Sequence, residues 1–172
     1  MSPDTTGIRA LRPDEAPLFV ELRREALAEA PLAFAASPED DRGLSAEFMR
    51  ESLSDPDSAA VLGAFEGDRL VGIAGVGRLS KRKQRHRAIV WGMYVSPPAR
   101  GRGLGLDLLQ AAVNRARSWT GVLQVQLSVT DAAPEARRLY ERAGFREWGV
   151  EPRSLGEEGQ FVTERHLVLD LD

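Results

Sequence analysis

Residues 95–105 read Val-Ser-Pro-Pro-Ala-Arg-Gly-Arg-Gly-Leu-Gly and join a predicted strand to a predicted helix through a glycine-rich turn. The glycines at every second position from Gly101 to Gly105 permit positive φ angles and a close approach of the backbone to a ligand. Free N–H groups at the start of the helix, together with the helix dipole, favour an anion. Arg100 and Arg102 add charge and fork-shaped donors. The stretch therefore predicts a binding site for a phosphate or a pyrophosphate.

The spacing of these glycines excludes the two common nucleotide-binding loops. A dinucleotide fingerprint, Gly-x-Gly-x-x-Gly, that starts at Gly101 would place its third glycine where the chain has Leu106. A Walker loop has Lys and then Ser or Thr after its last glycine, whereas Leu106 and Asp107 follow Gly105. On this segment alone, a glycine-rich turn with surface arginines is the alternative to a phosphate site.

The composition narrows the chemistry that the chain can perform. Its 172 residues suffice for one compact α/β domain, and we expect residues 1–172 to form a single domain. The absence of cysteine excludes a disulfide scaffold, a cysteine-ligated metal centre and a cysteine nucleophile. With only two histidines, a histidine-rich metal site is not expected, and we predict that no metal is bound. The net charge of −3 gives no general attraction to nucleic acid or to an anionic membrane.

The N-terminal sequence, MSPDTTGIRA, has neither the basic nor the apolar region of a secretory signal. No apolar run approaches the roughly 20 residues needed to cross a bilayer. We therefore expect a cytoplasmic protein without a membrane partner.

Periodicity and turn residues predict the order of the elements. The strand at 122–129 has the clearest pattern, because apolar and polar side chains alternate with a strict period of two. The predicted strands are 8–11, 60–65, 70–78, 88–95, 122–129, 145–150 and 166–171, and the predicted helices are 13–30, 45–53, 103–118 and one that runs from 134 to a cap at 144. The order β-α-α-β-β-β-α-β-α-β-β predicts an α/β fold, a mixed sheet with helices on its faces.

Two linked motifs resemble those of the GCN5-related N-acetyltransferases (GNAT family). The family signature, Arg/Gln-x-x-Gly-x-Gly/Ala after a strand, is matched from Arg100 to Gly105, and the lead-in 91–97, Trp-Gly-Met-Tyr-Val-Ser-Pro, is typical of the family. Residues 136–145, Ala-Arg-Arg-Leu-Tyr-Glu-Arg-Ala-Gly-Phe, resemble the distal motif. The two blocks occur in the family's order with a strand between them, and the resemblance is strongest over 60–150.

The resemblance implies the acyl-CoA N-acyltransferase fold, a mostly antiparallel sheet of six or seven strands flanked by helices. It also implies transfer of an acetyl group from acetyl-CoA to a primary amine of a small molecule or peptide. The backbone of Met93, Tyr94 and Val95 would pair with the pantetheine arm. Tyr140 would donate a proton to the departing thiolate, as a phenol with a pKa of about 10 is able to do. The pyrophosphate would be held by Arg100, Gly101, Arg102, Gly103, Leu104 and Gly105.

The chain departs from the family pattern in two places. Ala133 stands where the family often has Asn, three residues before the alanine of the distal motif, so Asp131 is the candidate cap of the following helix. The strand 88–95 contains no acidic residue, so the glutamate base that some members have there is missing. Glu164, His86 or a chain of ordered water molecules would then accept the proton of the amine.

A basic run at 81–87, Lys-Arg-Lys-Gln-Arg-His-Arg, predicts a solvated hairpin turn. Contact with the phosphates of the cofactor or with an acidic acceptor is a second interpretation. RNA binding is a third, but the run lacks interleaved aromatic residues for base stacking, and the chain is acidic overall. We therefore expect no nucleic-acid partner.

The acceptor site is expected near residues 27–55 and 151–164. Phe34 and Phe48 are candidates for an apolar wall, and the acidic residues between positions 40 and 47 are candidates for attracting a cation. Core packing and a solvated loop are the alternative roles of these residues.

Two wider expectations follow from the resemblance. A non-catalytic acyl-CoA sensor on the same fold is the alternative function, because no base is evident. The closing strands carry Trp148, Phe161 and Leu167, which favour pairing of two copies across a two-fold axis, although the same residues would also serve to cover the sheet.

Overall fold

The computed structural model describes residues 6–172, in which seven strands and four helices follow one another in the predicted order. The strands are β1 Thr6–Ala10, β2 Ala59–Glu66, β3 Arg69–Arg78, β4 Arg87–Val95, β5 Gln124–Thr130, β6 Arg146–Glu157 and β7 Gln160–Asp170. The helices are α1 Ala16–Glu29, α2 Ala46–Ser52, α3 Leu104–Ser118 and α4 Pro134–Arg142. No helix within the described residues is long and apolar enough to cross a membrane.

The seven strands form one sheet in the order β1-β2-β3-β4-β5-β7-β6. Five of the neighbouring pairs are antiparallel, and only β4 and β5 run parallel. The predicted mixed and mostly antiparallel sheet is therefore confirmed. The parallel pair is short, because residues 87–89 pair with 124–126 and the remainder of each strand leaves the other.

Apolar side chains cover both faces of the sheet, which explains why β2 and β3 read as nearly continuous apolar runs. On one face, α3 buries Leu108, Leu109 and Ala112 completely against the strands. On the other face, α1 buries Phe19 in a second cluster that includes Ile73 of β3. Each of the buried Leu, Ile and Phe side chains contributes about 1.5–3 kcal/mol through removal of apolar surface from water.

The last two strands are longer than predicted. Residues 151–164, expected to be a loop, continue β6 and β7 into a long hairpin whose turn lies at Glu158 and Gly159. Most side chains of β6 are exposed, so this strand has no buried face to impose a period of two on the sequence. The hairpin is held by the backbone ladder, which the side-chain pattern does not reveal.

A contact between β3 and β4 fixes the position of Trp91. Its indole ring covers Gly75 on the α1 face of the sheet and meets the ring of Phe19 edge-on, with the centroids 6.0 Å apart. A Cβ atom at Gly75 would overlap this indole ring, whereas a Cβ atom at Gly77, two residues along the same strand, would have its nearest neighbour at 3.9 Å. Gly75 therefore leaves the space that Trp91 fills.

We expect Gly75→Ala to lower the free energy of unfolding by about 1–3 kcal/mol, because the added methyl group overpacks the contact with Trp91. Gly77→Ala is the matched control. It adds the same methyl group to an open position and should leave stability unchanged or raise it by up to about 1 kcal/mol. Urea unfolding of both variants checks this expectation, and equal midpoints for the two would contradict it.

Candidate active site

A β-bulge opens the sheet where β4 leaves β5. The register between β3 and β4 shifts between Ile73 and Gly75, and Gly92 on the bulged strand has a φ of 64°. Such a bulge bends its strand and increases the local twist. The result is a cleft of about 80 Å³ between the two strands. Its lining includes Phe34, Trp91, Gly92, Met93, Leu127, Ser128 and Tyr140.

The end of β4 presents an unpaired backbone edge to this opening. The N–H of Ser96 donates to the carbonyl oxygen of Val71 on β3, at 2.9 Å. Because successive residues of a strand direct their backbone groups to opposite edges, Tyr94 also faces β3, and Met93 and Val95 face away from it. Of the three residues predicted to pair with pantetheine, Met93 and Val95 thus present their backbone groups to the open side.

The turn between β4 and α3 carries a row of free donors. The N–H of Arg100 donates to the carbonyl oxygen of Pro97, but within residues 6–172 no backbone acceptor receives the N–H groups of residues 101–106. Gly101 and Gly103 have φ angles of 78° and 80°, and the space beside each is open. Together with the N-terminus of α3, these donors form a cradle for an anion.

The two arginines of this turn bind other parts of the protein. Arg100 donates from Nε to the carbonyl oxygen of Val95 at 2.9 Å and from Nη2 to Glu29 at 2.8 Å, and this hydrogen bond holds the pKa of the Glu29 carboxyl below its usual range. Arg102 forms an ion pair with Glu66. Each guanidinium charge is therefore balanced by a carboxylate, and the backbone N–H groups are the uncommitted donors of the cradle.

Tyr140 lies in the cleft, on the last turn of α4. Its side chain is buried, and burial raises the pKa of its phenol to about 12. Its hydroxyl makes no hydrogen bond to any of the residues that the structure describes. Gly144 ends the helix with a φ of 94°, as predicted for a left-handed cap. The phenol is thus a protonated donor that faces the opening without a protein partner.

The start of α4 differs from the prediction. No side chain caps Ala133, and Asp131 does not take this role, because its carboxylate accepts a hydrogen bond from Arg165 Nε at 3.0 Å. The helix begins instead with Pro134, whose ring fixes a helical φ and which has no N–H to satisfy.

The two candidate bases lie in different places. His86 is exposed in the turn before β4, at the end where β4 and β5 are still paired, and is remote from the opening. The basic run of which it is part forms this exposed β3–β4 connection, as predicted. Glu164 is half-buried on β7 and accepts a hydrogen bond from Ser154 Oγ at 2.7 Å. Neither residue lines the cleft.

One of the two predicted aromatic residues forms a wall of the cleft. Phe34 lines it and lies under the guanidinium of Arg23, 4.9 Å from the ring centroid. Phe48, on α2, packs against the guanidinium of Arg42 and does not line the cleft. Asp41 is bound to Arg23 at 2.6 Å, so its charge is already balanced and does not serve to attract a cation.

Two features define the acyl-CoA N-acyltransferase fold. The parallel strands β4 and β5 separate in the middle of a mixed sheet, and a turn with free N–H groups follows β4. The family model described as "Acetyltransferase (GNAT) family" matches residues 19–145, and the chain belongs to this family. The family resemblance of the two sequence motifs is thereby confirmed.

Individual relatives agree with this assignment. The chain is 36% identical over 114 residues to the N-alpha-acetyltransferase RimI of Mycobacterium tuberculosis, covering 66% of this chain and 68% of that protein. It is 30% identical over 162 residues to the mycothiol acetyltransferase of Salinispora arenicola, covering 86% of this chain. The chain spans about half of that relative, 47% of its length. The yncA protein of Salmonella typhimurium, solved with its cofactor acetyl-CoA, superposes with a TM-score of 0.84 at 21% identity, over 98% of this chain and 95% of that chain.

Proposed function

We propose that the chain is an acetyl-CoA-dependent N-acetyltransferase that transfers an acetyl group to a primary amine of a small molecule or peptide. The observation that carries this proposal is the continuity of the site. A cradle of free N–H groups, an unpaired strand edge and a buried phenol follow one another around the same opening in the sheet. This order matches the order of the pyrophosphate, the pantetheine amides and the thioester along acetyl-CoA.

The strand edge suits the pantetheine arm. Its two amides need hydrogen-bond partners when they leave water. The backbone groups of Met93 and Val95 provide such partners, and the arm then occupies the position that a further strand would take. Tyr94, whose backbone faces β3, contributes by fixing this edge. Its hydroxyl donates to Glu25 on α1 at 3.1 Å.

The cradle suits the pyrophosphate. The donors are the N–H groups of Gly101, Arg102, Gly103, Leu104 and Gly105, and Arg100 anchors the turn through its bonds to Val95 and Glu29. Backbone donors of this kind hold phosphate oxygens without the entropy cost of ordering long side chains. The relative solved with acetyl-CoA has the same fold.

Tyr140 supplies the proton that the leaving group needs. When the amine nitrogen bonds to the carbonyl carbon of the thioester, the C–S bond breaks and leaves a thiolate. The Tyr140 hydroxyl donates its proton to this sulfur. Because the phenol stays protonated at neutral pH, the donor is present in nearly every enzyme molecule.

Release of free thiol from acetyl-CoA tests the proposed function. The panel of acceptors comprises an aminoglycoside, spermidine, the free amino acids and a tetrapeptide with a free N-terminal alanine. Turnover with one class of amine supports the proposal and identifies the acceptor. Tight binding of acetyl-CoA in calorimetry, without turnover of any amine, would favour the non-catalytic sensor.

Gly103→Val should abolish measurable binding of acetyl-CoA, since a branched side chain would occupy the space beside the cradle. Gly159→Val is the matched control, because Gly159 has a φ of 79° and equally open surroundings in the β6–β7 turn. Both variants carry the same backbone strain of about 1–3 kcal/mol, and only the first touches the cradle. Calorimetry that finds wild-type affinity in folded Gly103→Val would refute the assignment.

Tyr140→Phe should lower kcat by about 10²–10⁴-fold, the usual contribution of general acid catalysis, with little change in acetyl-CoA affinity. The ring still packs and the hydroxyl has no hydrogen bond to a described residue to lose, so the free energy of unfolding should fall by less than the roughly 0.5–1.5 kcal/mol that one hydrogen bond contributes. Wild-type kcat should show no alkaline decline until the pH approaches the raised pKa of about 12. Single-turnover acetyl transfer avoids masking by slow product release. An unchanged single-turnover rate would return Tyr140 to a packing role.

We propose in addition that two copies pair along β6. This strand lies at the edge of the sheet. Trp148 on β6 is 56% exposed and Phe161 on the adjoining β7 is 63% exposed, whereas Leu167 is fully buried in the core. An exposed edge with apolar side chains favours pairing with another strand. We expect a dimer in sedimentation velocity at micromolar concentration, and a shift to monomer in Phe161→Ser. Sedimentation of the wild type as a monomer at high micromolar concentration would refute the pairing.

A further inference from the structure

The cleft contains a polar side chain to which the mechanism above assigns no role. Ser128 lies on β5 at the point where this strand has left β4, and its side chain is exposed. It lines the same cleft as Met93 and Tyr140. A hydroxyl in this position is able to accept a hydrogen bond from an amine that enters the opening.

Ser128 is the first member of a hydrogen-bonded chain across three strands. Its Oγ lies 2.8 Å from Nδ1 of His166, the residue directly opposite on β7. Nε2 of His166 lies 3.1 Å from the carboxylate of Glu151 on β6. This series of hydrogen bonds therefore runs from the cleft towards solvent along one face of the sheet.

The order of donors in this chain follows from the chemistry of its ends. An ionised carboxylate only accepts hydrogen bonds, so Nε2 of His166 carries the hydrogen that binds Glu151. In the neutral imidazole, Nδ1 is then an acceptor, and the Ser128 hydroxyl donates to it. The lone pairs of Ser128 Oγ remain free to accept a proton from the cleft.

Two carboxylates lie beside His166. Carboxylate oxygens of Glu151 and Glu164 and a ring nitrogen of His166 all lie within 4.8 Å of one another. The indole of Trp148 covers the ring, with centroids 5.4 Å apart and planes inclined by 31°. Arg165, the next residue on β7, points to the other face of the sheet.

The remaining charged groups near the cleft are already paired or bonded. Arg87 on β4 donates a hydrogen bond to the side-chain oxygen of Gln126. Gln126 precedes Ser128 by two residues, so both side chains lie on the same face of β5. From α1, Arg23 is bound to Asp41. The charged groups beside the His166 ring are therefore the carboxylates of Glu151 and Glu164.

We propose that Ser128, His166 and Glu151 form the relay that removes the proton from the acceptor amine, an inference that rests on the proposed acetyl transfer. As the N–C bond forms and the C–S bond breaks, the amine proton passes to Ser128 Oγ, and the hydroxyl proton of Ser128 passes to Nδ1 of His166. The imidazolium is held by Glu151. Tyr140 gives one proton to the thiolate and His166 gains one, and exchange with solvent resets both groups. Ser128 contacts the amine, and His166 and Glu151 act through it.

Kinetics of Ser128→Ala and His166→Ala test the relay with the amine of the panel that the wild type acetylates fastest. We expect each variant to lower kcat by about 10²-fold or more, with unchanged acetyl-CoA affinity in calorimetry. Added imidazole should restore part of the activity of His166→Ala and none of that of Ser128→Ala. His86→Ala, which removes the other histidine in its exposed turn, is the matched control and should keep wild-type activity.

Two further measurements separate a relay from a structural role. Glu151→Gln should lower kcat while leaving KM for the amine and the melting temperature unchanged, and His166→Ala should lose the acid limb of the pH–rate profile. In ¹⁵N NMR, the neutral ring of His166 should carry its hydrogen on Nε2. The variant His86→Gln leaves His166 as the remaining histidine of the sequence and so identifies its signals.

Each outcome decides the proposal. A kcat within about twofold of wild type in His166→Ala, equal rescue of both alanine variants by imidazole, or a hydrogen on Nδ1 of the neutral ring would overturn the relay and leave the acetyl transfer intact. A wild-type enzyme that acetylates no amine of the panel would overturn the proposed function and the relay with it.

Discussion

The separation of β4 from β5 is the constraint on which the rest of the molecule depends. Two parallel strands that pair over three residues and then diverge leave backbone groups without partners in the middle of a sheet, where each such group is costly unless something binds it. The bulge at Gly92 sets this divergence. It is supported from the α1 face, where Trp91 packs on Gly75 and the guanidinium of Arg23 lies 3.4 Å from the position of a Cβ atom on Gly92.

Helix α1 connects the separated strand to the anion cradle. One face of this helix builds the core through Phe19, while Glu25 and Glu29 further along bind the end of β4 and the turn that follows it. Ser96 and Tyr94 share the carboxylate of Glu25, and Arg100 binds that of Glu29. The backbone donors are thus held in position before any ligand arrives, which reduces the conformational entropy lost on binding.

Elements were predicted from the sequence where the residue pattern matches the burial or the backbone angle that the fold imposes at that position. The amphipathic helix α3, the alternating strand β5 and the glycine cap at Gly144 were all predicted, because burial on one face and a positive φ each restrict the residue type. The length of β6 was not predicted, since its exposed side chains follow no period. The partners of Arg100 and Asp41 and the His166 contact of Ser128 were also missed, because these contacts join residues distant in sequence, 71, 18 and 38 positions apart. Ser128 left only a faint signal, a small polar residue at the end of a strand where its neighbours are apolar.

The opening between β4 and β5 passes through the sheet and is not a pit in its surface. Leu127 and Val129 belong to the core on the α3 face, whereas Phe34 packs with the cluster on the α1 face, and all three meet at the same cleft. The opening therefore connects the two faces of the sheet. Two molecules bound on opposite faces would meet at this opening. For the proposed acetyl transfer, such an arrangement accommodates both reactants at once, so the acyl group need not be carried covalently by the protein between two half-reactions. Initial-rate plots against one reactant at several concentrations of the other would then intersect instead of running parallel.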